Sequence, residues 1–307
     1  MVSTFCLNPC FDKTVEVSAL KAGGTNRILR SRVDPGGKGL NVARALSTLG
    51  VETTCVCALP EKGRDEFMSL ISDHDLQISV IPTPGTVRTN TKILSMDTGS
   101  LTELNEAGVP LSSKAMEEIV RMEESLKSAC SMHVLSGSLP PHASVAMYYN
   151  MIRTLAPAPV FLDTSGQALL EGIKARPLFV KPNLTEMETV FDRPLRTHAQ
   201  VRDAAMSWID LGVGHVCVSM GSEGALLITR EKTIFSPALS VPVGSPVGSG
   251  DAMVAGLVYG YLCGGDLEEI LRCATAAAAA SCMTSGTQMV RREDYEAMLK
   301  KAEVRTI

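Results

Sequence analysis

The chain has no run approaching 18 apolar residues. Its alanine run, Ala276–Ala280, sits between polar and charged turns, so no transmembrane helix is expected. The N-terminal Met-Val-Ser-Thr-Phe-Cys-Leu-Asn-Pro lacks the basic start and apolar core of a signal peptide. Positive charge is not in excess: 29 Lys and Arg stand against 33 Asp and Glu, a net charge of −4, so neither nucleic acid nor a membrane is an expected partner. The nine cysteines include no CxxC pair. Cys55 and Cys57 flank one valine, and two side chains on one strand face make a poor disulfide. The five histidines, His74, His133, His142, His198 and His215, are scattered without metal-ligand spacing. Free, mostly buried thiols in a reducing cytoplasm are therefore expected. No GxxxxGK[ST] occurs, which excludes a P-loop. The two GxG turns before helices, Gly37-Lys38-Gly39 and Gly248-Ser249-Gly250, carry Val42 and Met253 at the third glycine position, which excludes a Rossmann dinucleotide fingerprint and the oxidoreductases built on it. Aromatics are only 4%, with one tryptophan, and 15 methionines suit a pliable aliphatic core.

What is present is ordinary globular usage, 45% hydrophobic and 20% charged. At about 150 residues per domain the length fits two domains or one large α/β domain. Segments 2–7, 14–18 and 26–33 carry β-formers, with Ala22-Gly23-Gly24 as a turn between the latter two. Positions 42, 45, 46 and 49 put apolar side chains on one helical face, which Gly50 ends. Strands are expected at 53–58, 131–136, 159–162, 178–181 and 214–219. Helices are expected at 64–73, 143–155, 166–174, 250–263, 266–283 and 292–302, with helical pattern also between 181 and 214. That alternation reads as βαβ units on a mostly parallel sheet. The stretch 85–104 breaks the rhythm, since Thr86–Leu94 alternates like an exposed antiparallel strand. With 12–33 it would build a small second sheet inserted into the larger unit.

Six constellations carry candidate chemistry. In Ser245-Pro-Val-Gly-Ser-Gly-Asp251, Gly248 and Gly250 free the backbone just before a helix, whose unpaired N–H groups and dipole suit an anion. Asp251 at that end is either a helix cap or a base for a hydroxyl. In Pro35-Gly-Gly-Lys-Gly-Leu-Asn41, glycines again open a helix beside Lys38 and Asn41, as a tight turn or a ligand loop. Lys181-Pro-Asn-Leu-Thr-Glu186 places Asn183 and Glu186 three apart, a capping pair or a pair that organises Mg²⁺-bound water. Ser219-Met-Gly-Ser-Glu-Gly224 follows a strand, as a hairpin or a ligand turn. Arg88, Asn90 and Lys92 alternate on one strand face, protecting an edge or gripping a phosphate. Asp12 follows the first strand, as a turn or a sugar ligand.

The order of these motifs resembles the phosphofructokinase-B branch of the ribokinase-like sugar kinases over about residues 1–290: Asn-Pro-x-x-Asp, GGKGxNVAR, Ser136-Gly-Ser-Leu-Pro-Pro141, KPNxxE, SxGxxG and GxGD. Gly23-Gly-Thr-Asn-Arg27, Arg88-x-Asn90-x-Lys92 and Leu104-Asn-Glu-Ala-Gly108 are most similar to bacterial 1-phosphofructokinases, with tagatose-6-phosphate kinases and 6-phosphofructokinases of the family as alternatives. Ser249 departs from the commoner alanine. The resemblance implies a three-layer α/β/α fold with a mostly parallel central sheet, formed by 1–11, 34–87 and 105–307, and a small β-sheet lid formed by 12–33 and 88–104. It implies ATP and Mg²⁺ as cofactors and a sugar phosphate as substrate, while the exposed edges of the two strand-patterned inserts point to a homodimer through the lid. It casts Asp251 as the base, with Gly248, Ser249 and Gly250 as its anion hole. Asp12, Gly37, Lys38, Asn41 and Ser138 would bind the sugar, and Arg88, Asn90 and Lys92 its phosphate. Lys181, Asn183, Ser219, Gly221, Ser222, Glu223, Gly224 and Gly250 would hold ATP, and Glu186 the metal.

Overall fold

The computed structural model describes residues 1–71 and 76–307. Its strands, in chain order, are β1 (Val2–Cys6), β2 (Cys10–Val17), β3 (Ile28–Gly36), β4 (Thr53–Lys62), β5 (Gln77–Thr86), β6 (Arg88–Ser95), β7 (Ser100–Asn105), β8 (Met132–Ser136), β9 (Val160–Asp163), β10 (Phe179–Val180), β11 (His215–Ser219), β12 (Ala225–Ile228), β13 (Thr233–Ser236) and β14 (Arg305–Thr306). Its α-helices are α1 (Lys38–Thr48), α2 (Arg64–Ser69), α3 (Ser113–Ala129), α4 (Met147–Leu155), α5 (Gly166–Gly172), α6 (Leu184–Phe191), α7 (His198–Asp210), α8 (Ser249–Leu262), α9 (Leu267–Cys282) and α10 (Arg292–Leu299). Of the expected helix 64–73, Arg64–Ser69 forms α2 and Leu70 and Ile71 form a turn; its last two residues and His74 lie outside the described residues. None of the described helices is long and apolar enough to cross a membrane.

One sheet has the order β14-β13-β12-β11-β10-β9-β8-β1-β4-β5 and is parallel from β5 to β11. Both faces are covered, as a parallel sheet requires. Alternate residues feed opposite cores: Val216 and Val218 pack with α3 to α7, while Cys217 between them packs with α1, α8, α9 and α10. On that second face α8 and α9 approach closely, because a Cβ at Gly256 would fall 2.6 Å from the Ala274 Cα. The second sheet, β3-β2-β6-β7, joins the two sequence-separated inserts. Its strands run past the expected limits, from Cys10 and to Gly36 and Asn105, because the ladder continues through Cys10↔Gly36 and Asn90↔Asn105.

The elements not expected from the sequence include β5 and α3, besides the short strands β13 and β14. β5 carries Pro82 and Pro84, which hide a strand signal and restrict it to the sheet edge it occupies. α3 is 17 residues long; Ser112 accepts from Ala115 N at 3.2 Å, and Ala115, Ile119 and Leu126 are buried on one face. Glu123 lies on that face, 3% exposed. Burial pushes its carboxyl up to about 7, against the hydrogen bond from Thr154 and with the Glu124 charge adding to the rise. The folded protein therefore holds a proton there that the unfolded chain releases above about pH 4.5. The stability tied to that proton is fully present below this pH and lost as pH rises through 7. Glu123→Gln is expected to raise the melting temperature by about 4 °C at pH 8 and by much less at pH 5. Equal shifts in melts at the two pH values would show that the charge is not the cause.

Candidate active site

The C-terminal edge of a parallel sheet is where polar side chains at successive strand ends converge. Here β8 ends on Ser136, β9 on Asp163 and β11 on Ser219, and Lys181 follows β10. The small sheet faces this edge. Between them lies a cavity of about 1430 Å³. Of the residues singled out in the sequence, Asp12, Gly37, Lys38, Asn41, Arg88, Asn90, Lys92, Ser138, Lys181, Asn183, Glu186, Ser219, Gly221, Ser222, Gly224, Gly248, Ser249, Gly250 and Asp251 all line it. Glu223 does not: the 3₁₀ turn Gly221–Glu223 leaves it exposed outside the cavity.

Asp251 stands in the first turn of α8, 6% exposed. Gly248 before it holds φ at 83°, a left-handed conformation that frees the loop to fold under the helix end. The Ser249 hydroxyl donates to the Pro246 carbonyl at 2.8 Å, so the departure from alanine braces the loop. The Asn41 amide donates to Asp251 Oδ2 at 2.8 Å. Burial pushes the Asp251 carboxyl up to about 6; Lys38 works against that rise, Asp163 with it, and Asn41 and Lys181 against it.

Asp163 is a residue that sequence reasoning missed. It is 1% exposed and receives Lys38 Nζ at 3.3 Å, Lys181 Nζ at 3.4 Å and the Ser136 hydroxyl at 3.1 Å. Burial alone would raise its pKa, but the two ammonium groups and Ser136 hold it below the usual carboxylate value. Burial likewise opposes the Lys38 charge, yet Asp163, Asp251 and Glu186 hold its pKa above the ordinary lysine value. Lys181 lies beside the Gly248–Gly250 loop, since a Cβ at Gly250 would sit 3.6 Å from its Nζ.

On the small sheet, Lys92 is buried against Asp12 Oδ1 at 2.9 Å, so an expected phosphate ligand and an expected sugar ligand are partners of each other. Asn90 donates to Cys10 Sγ at 3.3 Å and accepts from Arg88 Nη1 at 3.3 Å. Arg88 also donates to the Asn8 carbonyl, at 2.8 Å from Nη2, and to the Glu106 carbonyl at 2.7 Å. No carboxylate pairs with Arg88 among the described residues, whereas Lys38, Lys92 and Lys181 each have one. Glu186 and Asn183 form a capping box: Asn183 N donates to Glu186 Oε2 at 2.8 Å, and Glu186 N donates to Asn183 Oδ1 at 2.7 Å. The cap and a ligand role are compatible, because Glu186 Oε1 has no hydrogen bond among the described residues.

Residues 7–293 match the pattern described as the pfkB family carbohydrate kinase. The chain belongs to that family. The 1-phosphofructokinase of Escherichia coli K12 is 33% identical over 306 residues, 99% of this chain and 97% of that protein. The 1-phosphofructokinase of Rhodobacter capsulatus is 33% identical over 309 residues, 100% of this chain and 98% of that one. Among solved structures, phosphofructokinase-2 from Escherichia coli, in complex with substrates and products, superposes with a TM-score of 0.91 at 26% identity and covers 98% of both chains. The ribokinase-like α/β fold expected from the motifs is thus the fold of this family member.

Proposed function

We propose that this pfkB-family kinase transfers the γ-phosphoryl group of ATP to the 6-hydroxyl of fructose 1-phosphate, giving fructose 1,6-bisphosphate and ADP. The observation that carries the reading is Asp251: a buried carboxylate with raised pKa at the anion-binding end of a helix, inside a cavity that also holds Lys38, Lys181 and Arg88. Phosphoryl transfer needs positioning and charge neutralisation more than covalent help. In this reading Asp251 takes the proton from the acceptor hydroxyl as its oxygen attacks the γ-phosphorus and the bond to ADP breaks. The first-turn N–H groups at Gly250 and Asp251 have no helical acceptor and meet the transferring phosphoryl oxygens. Lys38 and Lys181, aligned by Asp163, offset the phosphate charge. Asn183 and the Ser219–Gly224 turn, without Glu223, border the nucleotide. A hard cation prefers oxygen ligands, and the free Oε1 of Glu186 suits Mg²⁺ through its water shell. When bound, Mg²⁺ neutralises β- and γ-phosphate oxygens. Asp12, Lys92, Ser138 and the Gly37 turn border the sugar, and Arg88 with Asn90 its phosphate. The small sheet acts as the lid over this cavity and excludes water. Seven of the nine cysteines are buried and all nine are unpaired, which suits a reducing cytoplasm.

The direct test is ADP release with fructose 1-phosphate, tagatose 6-phosphate, fructose 6-phosphate and fructose. The highest kcat/KM is expected for fructose 1-phosphate and the lowest for fructose; a preference for tagatose 6-phosphate would keep the kinase and overturn the substrate.

The lid also supports a homodimer. Ile28 and Leu29 on its outer strand β3, and Leu104 on β7, are more than half exposed, and both strands are open sheet edges. Light scattering is expected to give about twice the 32.7 kDa chain mass for the wild type, and the chain mass for an Ile28→Asp/Leu29→Asp variant. A monomeric wild type at micromolar concentration would remove the pairing and leave the kinase reading intact.

A further inference from the structure

The reading of Asp251 as the base leaves open what fixes that carboxylate in one orientation. A side chain with two equivalent oxygens serves a single hydroxyl best when one oxygen is held and the other is free. Asn41 comes from the first turn of α1, on a different element from α8, and is 4% exposed. Its backbone N–H is fixed on the Gly37 carbonyl at 2.9 Å, so the side chain leaves a rigid turn. Its amide nitrogen meets Asp251 Oδ2 at 2.8 Å. An ionised carboxylate only accepts, so the amide must present its NH₂ to Asp251 and its carbonyl elsewhere. That carbonyl oxygen, Asn41 Oδ1, is buried and has no hydrogen-bond partner among the described residues, although Asn41 borders the cavity. A buried acceptor without a donor is costly, and a hydroxyl donor in the cavity would satisfy it.

We propose that Asn41 is a positioning residue for the phosphoryl transfer: it clamps Oδ2 of the general base, leaves Oδ1 of that carboxylate to the acceptor hydroxyl, and offers its own Oδ1 to a neighbouring hydroxyl of the same sugar. The proposal rests on Asp251 being the base. It adds to the sugar-binding role implied for Asn41 a second role, exerted on the enzyme's own carboxylate. The charged groups facing Asp251 are Lys38 at the start of α1, Asp163 at the end of β9 and Lys181 after β10. Asn41 is the neutral donor among them, and its hydrogen bond favours the ionised form.

The test is the pH dependence of kcat, together with KM for the sugar phosphate, in the wild type, Asn41→Ala, Asn41→Asp and Asp251→Asn. Asn41→Asp is isosteric and preserves the packing should the alanine variant fail to fold. Loss of the clamp is expected to lower kcat at least tenfold at pH 7 and to move the acid limb of the kcat profile up by about one unit in Asn41→Ala. In Asn41→Asp two buried carboxylates then share a proton, and the limb is expected to move further. A rise in KM with kcat and its acid limb unchanged would reduce Asn41 to a sugar ligand and overturn the proposal. Near-normal turnover in Asp251→Asn would instead overturn the base assignment itself, so the two failures are told apart.

Discussion

Asp251→Asn is expected to lower kcat by about 10²–10⁴-fold, the range for loss of a general base, while ATP still binds. The substitution keeps the shape of the side chain and its place in the first turn of α8, so the Asn41 contact and the helix end survive. What it removes is the proton acceptor. The wild-type profile carries a matching signature. Because burial pushes Asp251 up to about 6, the carboxylate is mostly ionised at pH 7 and is neutralised as pH falls through 6. The kcat is then expected to drop tenfold per unit below that point, from loss of base. The sign is opposite to that of the Glu123 effect on stability, where acid helps, so turnover and melting temperature should move in opposite directions between pH 7 and pH 5 through these two groups. Stopped assays at matched saturation, paired with melts at each pH, separate them. A variant at position 251 that retains near-normal turnover would sink the assignment.

The clearest part of the site in the sequence was the set of glycine turns, because each announces itself locally: GGKG before α1, SxGxxG after β11 and GSGD before α8. Their glycines have structural reasons in the fold. A Cβ at Gly39 would fall onto the Phe5 carbonyl, and one at Gly224 onto the Ser236 carbonyl. The split of the small sheet was also readable, since Thr86–Leu94 alternates where the surrounding chain does not. Asp163 carried no such mark. It ends a four-residue strand, and its partners Lys38 and Lys181 are 125 and 18 residues away; the parallel pairing of β9 with β10 brings in Lys181, and α1 packed over β1 and β8 brings in Lys38. The signal that would have found it is that the strands β8, β9 and β11 each end on a polar residue, Ser136, Asp163 and Ser219, at the same edge of the sheet. The pairing of Lys92 with Asp12 was hidden for a similar reason. Alternation puts Arg88, Asn90 and Lys92 on one face, but it is the register Asp12↔Asn90 between β2 and β6 that sets a carboxylate among them. The helix α3 was in reach of the pattern, with a Ser112 cap and apolar residues at 115, 119, 122 and 126; its polar outer face, Glu117, Glu118, Arg121 and Glu124, dilutes the signal.

That register changes which residue should matter most for the sugar phosphate. Lys92 is neutralised by Asp12, and Lys38 and Lys181 share Asp163, so the remaining cavity cation without a carboxylate among the described residues is Arg88. Its guanidinium is held in place by the Asn8 and Glu106 carbonyls and by Asn90, which orient it without cancelling its charge. A fixed, unneutralised guanidinium is what a phosphate dianion binds best, and each charge-assisted hydrogen bond contributes roughly 1.5–3 kcal/mol. At about 1.4 kcal/mol per tenfold, Arg88→Ala is expected to raise KM for fructose 1-phosphate at least tenfold, with a smaller change in KM for ATP. Arg88→Lys, which keeps the charge but loses the planar fork, should fall between. The same loss should shrink the advantage of fructose 1-phosphate over free fructose, because the variant no longer reads the phosphate. Since Arg88 also ties β6 to the turns at Asn8 and Glu106, melts of both variants accompany the kinetics, and a folded Arg88→Ala enzyme with unchanged KM would refute the anchor. In the proposed pose, a 1-phosphate on the small-sheet wall would leave the 6-hydroxyl to reach Asp251. If fructose 6-phosphate or tagatose 6-phosphate shows the larger loss in Arg88→Ala, the anchor stands and the phosphate it reads is on the other end of the sugar.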